Sequence, residues 1–334
     1  MFAPSGVLSR NNQLKPSLFA EHDNVVILAD KHTMPYLDGR SRSTKSRLPL
    51  DALIQASIYD INIHDFAPFG IRQLVKFSYR PSTLADVAAR QIDESVRRFI
   101  DDSKLRLDKR EPELILSAEH IVDNGINKAI VDQRVLEENH GRLPEWAIMI
   151  KLFNAFRKVT VVANPLNRTN LRLDDVMSFV DEQILVIPVL DKEARSNLDA
   201  ELYKKFRDEV MLVDLPAQLS EDQKGNCGMY TAILTTDKYV YVPVFGNDPD
   251  NWKRGHSTMM DKMVVHMLEA STPSLPTTLF EIHVNTRKTV VPVNIPRAVC
   301  ERGISLRSLA WTLRGNAAEH IIQLARNTPA KLAL

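Results

Sequence analysis

The feature that most constrains the fold of this chain is a rhythm in which short apolar segments alternate with single helices. Four stretches carry apolar residues at helical spacing, namely Leu84–Leu107, Pro144–Arg157, Lys192–Asp208 and Trp252–Glu269. Strand-like segments lie around them at Ile58–Ile63, Gln73–Tyr79, Glu113–Leu116, Lys128–Val131, Lys158–Ala163, Val176–Val180, Gln183–Val189, Val210–Leu215, Met229–Thr235, Lys238–Phe245, Leu279–Val284 and Val290–Val293, and Ser305–Leu313 is a last strand or strand-to-helix segment. Strand pairs separated by one helix predict an α/β fold. The rhythm alone fits either a doubly wound sheet or a ring of ββαβ units.

The sequence predicts one domain preceded by an N-terminal extension. Residues 1–50 form this extension and include a first strand at Asn24–Ala29, whereas the polar run Ser41–Arg47 is typical of a surface loop. Residues 51–334 contain no low-complexity linker, so we predict a single domain there.

Composition and motifs exclude several classes of function. The chain has 43 Lys and Arg against 42 Asp and Glu, so no overall field attracts nucleic acid or an anionic membrane. Apolar stretches fall short of the roughly 18 residues that span a bilayer, and the first residues lack a signal-peptide pattern. Without metal-type histidine spacing or a glycine-rich phosphate loop, we expect no metal and no cofactor. Cys227 and Cys300 show no disulfide framework, which favours a reducing, cytoplasmic location.

Six segments in a fixed order carry the most specific signal. They are Asp60–Pro68 (DINIHDFAP), Val75–Pro81 (VKFSYRP), Leu116–Asn139 (LSAEHIVDNGINKAIVDQRVLEEN), Leu171–Glu182 (LRLDDVMSFVDE), Met229–Gly246 (MYTAILTTDKYVYVPVFG) and Glu301–Leu313 (ERGISLRSLAWTL). In this order they resemble the conserved blocks of the agmatine deiminase-like and bacterial peptidylarginine deiminase-like family, which belongs to the pentein superfamily of guanidine-modifying enzymes. The resemblance implies a five-bladed α/β propeller of pseudo-fivefold ββαβ repeats.

The resemblance also implies where the reactive residues stand. In the family, carboxylates hold a planar guanidinium, a cysteine thiolate attacks its carbon and a histidine transfers protons. The two carboxylates fall on Asp65 and Asp174. The histidine position is occupied by Arg172 and the cysteine position by Ser308.

Other positions of the family pattern are replaced as well. The family's G-G-N triplet falls on Ala118, Glu119 and His120, and the arginine before the first carboxylate falls on His64. The candidate substrate-binding residues are the two carboxylates together with Glu119, His120, His64 and Arg307, which precedes Ser308.

The replacements predict a deiminase-like protein without deiminase activity. A serine hydroxyl needs an adjacent base to become a nucleophile, and Arg172 cannot accept a proton. We hypothesise that Arg172 inserts its own guanidinium between Asp65 and Asp174, and that Glu119 narrows the cavity. Such a protein would act as a binding or interaction protein, with a guanidine-bearing small molecule, a peptide or a protein as partner, and as a possible homo-oligomer.

Several alternatives stay open. The protein could be an active hydrolase or amidinotransferase-like enzyme on a guanidine or amidine, with Cys227 as a displaced nucleophile and His120 or His283 as its base. Cys300 is expected to be a buried apolar residue. A Cys→Ser replacement introduced at position 308 would explain Ser308 but not Arg172. A new activity could use Glu119, His120, Arg172 and Asp174, or these positions could have drifted and only maintain packing.

Overall fold

The computed structural model describes residues 16–37, 49–166, 171–218, 225–247, 255, 257–269 and 286–327. The loop predicted at Ser41–Arg47, the strand predicted at Leu279–Val284 and the candidate base His283 lie outside these residues. The first part of the helix predicted from Trp252 lies outside them as well.

Thirteen strands occur in the described residues, and most follow segments of alternating or continuous apolar residues. They are β1 (Ile27–Ala29), β2 (Leu53–Gln55), β3 (Val75–Ser78), β4 (Lys109–Ile115), β5 (Ile121–Asp123), β6 (Lys128–Asp132), β7 (Lys158–Val162), β8 (Ser178–Phe179), β9 (Ile184–Pro188), β10 (Met211–Leu215), β11 (Leu234–Thr235), β12 (Tyr239–Val244) and β13 (Thr289–Asn294).

The helices of the described residues range from one turn to five. They are α1 (Pro16–Ala20), α2 (Met34–Leu37), α3 (Ile63–Phe66), α4 (Asp86–Ser103), α5 (Arg134–Glu138), α6 (Glu145–Phe156), α7 (Leu173–Val176), α8 (Lys192–Phe206), α9 (Thr258–Glu269), α10 (Arg297–Cys300) and α11 (Gly315–Asn327). Short 3-10 turns occur at Leu50–Ala52, Ala118–His120 and Arg207–Glu209. None of these helices is both long enough and apolar enough to cross a bilayer.

The described strands form five small sheets that share one building pattern. Each sheet contains a parallel pair, β1/β2, β3/β4, β6/β7, β9/β10 or β12/β13, and the segment that joins the pair contains a helix. Parallel strands need such a crossover because the chain must return to the starting end of the first strand, whereas a tight turn joins only antiparallel strands. In three sheets an antiparallel strand, β5, β8 or β11, precedes the pair. The fold is therefore mixed α/β, as the sequence predicts, with ββαβ units; closure of the sheets into a five-bladed ring stays a prediction.

The chain divides into two compact units that are each discontinuous in sequence. Unit 1 comprises Met1–Phe69, Gln73–Ala118 and Ser308–Leu334, and unit 2 comprises Gly70–Arg72 and Glu119–Arg307. The predicted boundary at residue 50 and the single domain over residues 51–334 stay predictions.

Each unit has its own apolar core. In unit 1, buried residues of α3, α4 and α11 pack together, among them Phe66, Val96 and Ile321. In unit 2, Leu198, Leu202 and Phe206 of α8 pack on β9 and its neighbours. Burial of one helix face against a sheet accounts for the 3.6-residue periodicity seen in the sequence.

Two segments predicted as strands contain no strand, for local reasons, and Met229–Thr235 is a strand only at Leu234–Thr235. Ile58–Ile63 is not a strand, because the Asp60 carboxylate accepts a hydrogen bond from the Asn62 N–H at 2.8 Å and the chain turns into α3. Ser305–Leu313 consists of turns and irregular backbone rather than a strand, and most of its side chains are nevertheless buried. Burial without regular structure gives an apolar pattern that sequence periodicity misassigns.

Candidate functional site

The predicted site residues fall into both units. Unit 1 contains His64, Asp65 and Ser308, and unit 2 contains Glu119, His120, Arg172, Asp174 and Arg307. Four of the five residues of unit 2 come from segments that lead into the first strand of a sheet, and Arg307 follows α10. Glu119 and His120 precede β5, and Arg172 precedes α7, which carries Asp174 and leads into β8.

Arg172 and Asp174 form a bidentate ion pair. Arg172 donates from Nε to Oδ1 of Asp174 at 3.0 Å and from Nη2 to Oδ2 at 3.0 Å. The Asp174 side chain is fully buried, and that of Arg172 is 13% exposed. Two parallel hydrogen bonds between a guanidinium and a carboxylate are among the strongest side-chain contacts in proteins. Asp174 is therefore already bound to a guanidinium that the chain itself supplies.

Glu119 is a second carboxylate against the same guanidinium. Its Oε2 lies 3.4 Å from Nε of Arg172, although the two residues are 53 positions apart in sequence. The Glu119 side chain is 18% exposed. Glu119 thus contributes an anion to the site, beside Arg172, in addition to the narrowing of a cavity that the sequence predicts. Arg172, Asp174, Glu119 and His120 are together called the Arg172 cluster below.

His120, the fourth member of the Arg172 cluster, lies close to three carboxylates. Its Nε2 lies 3.7 Å from Glu119 and 3.9 Å from Glu138, and its Nδ1 lies 3.7 Å from Asp132. Burial alone would lower the pKa of His120, but the nearby carboxylates of Asp132, Glu119 and Glu138 outweigh it and raise the pKa. His120 therefore carries positive charge to a higher pH than an ordinary histidine.

Asp175, next to Asp174, is a buried carboxyl that sequence reasoning missed. Burial and the adjacent charge of Asp174 raise the pKa of Asp175 to about 7. Asn226 donates from Nδ2 to Oδ1 of Asp175 at 3.0 Å, and Ser305 also hydrogen-bonds to it. Burial likewise raises the pKa of Asp174, and the Arg172 and Arg307 guanidinium groups oppose that rise. Below about pH 7, Asp175 therefore holds a proton, and the Arg172 guanidinium favours the charged form of Asp174.

Arg307 is a second guanidinium that acts on Asp174. Its side chain is 10% exposed, its Nη2 lies 3.8 Å from Oδ2 of Asp123, and it donates to the Ile121 carbonyl at 3.5 Å. Arg307 is held by β5 and adds positive potential at Asp174.

The two cysteines correct the sequence prediction. Cys227 and Cys300 form a disulfide with a Cα–Cα distance of 4.8 Å. The sequence alone predicts no disulfide and allows Cys227 to be a reactive thiol. The segments around the bond are tightly apposed, because the Asn226 N–H donates to the Cys300 carbonyl at 3.0 Å. A Cβ on Gly225, whose φ is +80°, would lie 2.0 Å from that same carbonyl oxygen. Neither sulfur is a free thiol, so Cys227 is not a displaced nucleophile in this form of the protein.

Unit 1 holds the remaining predicted residues. Asp65 lies on α3 and is 3% exposed, and Ser117 donates to its backbone carbonyl at 3.2 Å. The His64 N–H donates to the Ser308 carbonyl at 3.1 Å, and Ser308 is fully buried. The structure thus brings His64, Asp65 and Ser308 into one region of unit 1. The prediction that Asp65 and Asp174 share one cavity stays a prediction.

Known structures resemble this chain along most of its length. An agmatine deiminase from C. jejuni matches with a TM-score of 0.58 and 16% identity over 87% of this chain and 82% of that one. A protein assigned as a peptidyl-arginine deiminase matches with a TM-score of 0.62 and 18% identity over 89% and 87%. One assigned as an arginine deiminase from Porphyromonas gingivalis matches with a TM-score of 0.62 and 15% identity over 92% of both chains.

The fold is that of the agmatine and peptidylarginine deiminases. No protein-family model and no curated protein matches the sequence. The family resemblance in the motifs therefore agrees with the three-dimensional structure, while identities below 20% carry the fold and not the activity.

The chemistry open to this deiminase fold follows from the groups present. Arg172 holds its proton at all physiological pH values and cannot act as a base. Ser308 is a weak nucleophile unless a base lies beside its hydroxyl. Among the described residues, no group of three or more His, Cys, Asp or Glu is arranged to hold a metal ion. Within the Arg172 cluster, each side chain lies close to a group of opposite charge.

Proposed function

We propose that the protein is a non-catalytic relative of the deiminases that works by binding. The observation that carries the proposal is the bidentate pair between Arg172 and Asp174, with Glu119 as a second anion. In this proposal Arg172 provides internally the guanidinium that a deiminase would take from its substrate. The proposal takes the five sheets as the repeating units of the pentein family, and Asp65 and Ser308 as residues of the same ancestral site.

Two arguments from charge support a site in which Arg172 takes the place of the substrate guanidinium. A buried carboxylate costs several kcal/mol, on the order of 3–5, when its only partner is removed. Arg172 removes this cost for Asp174 without any ligand. A substrate guanidinium would have to displace Arg172 from both Asp174 and Glu119, and a second cation would meet the positive potential of Arg307.

The alternatives differ in how well the structure supports them. The disulfide counts against an active enzyme that uses Cys227 as nucleophile. A serine introduced for cysteine at position 308 would leave the pair between Arg172 and Asp174 unchanged. A new activity of Glu119, His120, Arg172 and Asp174 has the advantage that these side chains lie together, but each is engaged with another charged group of the protein.

Release of ammonia and citrulline tests the proposal. Agmatine, arginine and arginine-containing peptides are incubated with the wild-type protein and with Ser308→Cys, using an active agmatine deiminase as the assay control. We expect both proteins to be silent, with rates on the order of a million-fold below the active control, because neither has a base at position 172. Turnover by the wild type would refute the proposal. Turnover by Ser308→Cys alone would show instead that only the nucleophile is missing.

A further inference from the structure

Helix α6 is apolar on two faces. One face, with Ile148, Leu152 and Phe156, is buried in unit 2. The other face presents Trp146, Ile150 and Phe153, which are 68%, 53% and 48% exposed. Spacings of four and three residues place these three side chains along one line of the helix. They are called the α6 stripe.

The exposed faces of α4 and α8 carry ion pairs, and their exposed large apolar residues, Val87 and Tyr203, stand singly rather than in a row. On α4, Arg90 pairs with Asp86 and Arg98 with Glu94, and on α8, Lys204 pairs with Glu201. Such charged outer faces are typical of helices that face water. Three large apolar side chains in a row, two of them aromatic, are typical of a contact surface because their exposure is costly and their burial contributes most to binding.

The stripe fits a second copy of itself. If two α6 helices cross antiparallel at Ile150, Trp146 of each copy lies beside Phe153 of the other, at nearly the same height along the axis, and the two aromatic rings can pack together. The same arrangement brings Glu145, at the start of one helix, toward Arg157, just after the end of the other. Both residues are exposed. The opposed helix dipoles add to this charge complementarity.

We propose that the α6 stripe is the centre of a twofold homodimer contact in which the α6 helices of two copies pack antiparallel. The contact is isologous, since the same surface serves both copies. This inference goes beyond the proposed function and does not depend on it. A stable interface buries about 800 Å² on each partner, more than three side chains provide, so we expect a weak dimer with a dissociation constant of about 1–10 µM.

Sedimentation equilibrium between about 0.5 and 100 µM tests the contact. The full-length wild-type chain should change from monomer to dimer over this range. Trp146→Glu and Ile150→Glu should each weaken the dimer at least about tenfold, because each buries a charge at the centre of the contact. Met259→Glu is the matched control, since Met259 is 82% exposed on α9 and lies outside the stripe. It should leave dissociation unchanged, and circular dichroism checks that every variant is folded.

A charge exchange tests the antiparallel geometry. Glu145→Arg and Arg157→Glu should each weaken the dimer, and the double variant should restore most of the loss, because the exchanged charges attract again across the two copies. A wild type that stays monomeric at every concentration would overturn the proposal. A dimer that is insensitive to Trp146→Glu would overturn it too, and an additive double variant would overturn the antiparallel pairing.

Discussion

At the scale of single residues, the site depends on which charged groups occupy a few buried positions. Arginine suits position 172 because its planar guanidinium can make two hydrogen bonds to Asp174 and still approach Glu119. A lysine would present a single ammonium group and could not bind both carboxylate oxygens of Asp174 in this parallel geometry. The local spacing of Arg172 and Asp174 made their contact predictable, whereas the approach of Glu119 depends on tertiary structure.

Asp175 gives the site a dependence on pH. Its pKa of about 7 in the folded protein exceeds the ordinary value near 4. Between about pH 4 and pH 7, the folded protein therefore holds a proton on Asp175 that the unfolded chain has lost. The contribution of Asp175 to stability is therefore present at low pH and is lost as pH rises toward 7. Asp175→Asn keeps an acceptor for Asn226 and removes the titration. Its stability relative to wild type should rise from pH 5 to pH 7 by at most about 1.4 kcal/mol per pH unit.

Urea unfolding of both proteins at several pH values measures this difference. Asp199→Asn, which removes an exposed carboxylate on α8, controls for the loss of a charge. A stability difference between Asp175→Asn and wild type that is the same at every pH would contradict the assignment of the titration to Asp175.

At the scale of elements, the long helices were predictable and the short segments around the site were not. The sequence predicts α4, α6 and α8 to within a few residues because one face of each is buried in an apolar core. It misses β5 and α11 and assigns a strand where the chain forms α3, which carries Asp65. Short helices and turns are stabilised by side-chain hydrogen bonds and by distant contacts, which leave no periodic pattern.

The disulfide was not predictable because its cysteines are 73 positions apart and stand in no framework. It joins α10 to the segment that holds Asn226 against Asp175. Reducing compartments such as the cytoplasm disfavour disulfides. The cytoplasmic location that the sequence favours therefore stays a prediction.

We expect the disulfide to stabilise the fold. Restricting a loop of this length in the unfolded chain is worth about 4 kcal/mol in the loop-entropy model, with a usual range of about 2–5 kcal/mol. The double variant Cys227→Ser/Cys300→Ser should therefore unfold at a lower urea concentration than oxidised wild type. Reductant should lower the wild-type midpoint and leave the double variant unaffected. Two free thiols in the denatured, non-reduced protein would show that the bond does not form.

At the scale of the whole molecule, our proposal separates the fold, which matches the deiminases, from their chemistry. The repeated pattern of parallel strand pairs with helical crossovers is the deiminase pattern, and the ordered motifs revealed it although identities to known structures are below 20%. Conserving a fold requires only apolar residues of suitable size at core positions. Conserving a reaction requires particular groups, and Arg172 and Ser308 are not those groups. Similar architecture is therefore compatible with a different function.

The most direct test of the central claim is a calorimetric titration of agmatine into wild type and Arg172→Ala at about pH 8, above the pKa of about 7 of Asp175. Arg195→Ala, which loses a surface arginine on α8, is the control for removing one positive charge. If Arg172 occupies the guanidinium position, Arg172→Ala should bind agmatine at least about tenfold more tightly than wild type and Arg195→Ala. Equal binding by wild type and Arg172→Ala, or no binding by Arg172→Ala, would contradict it.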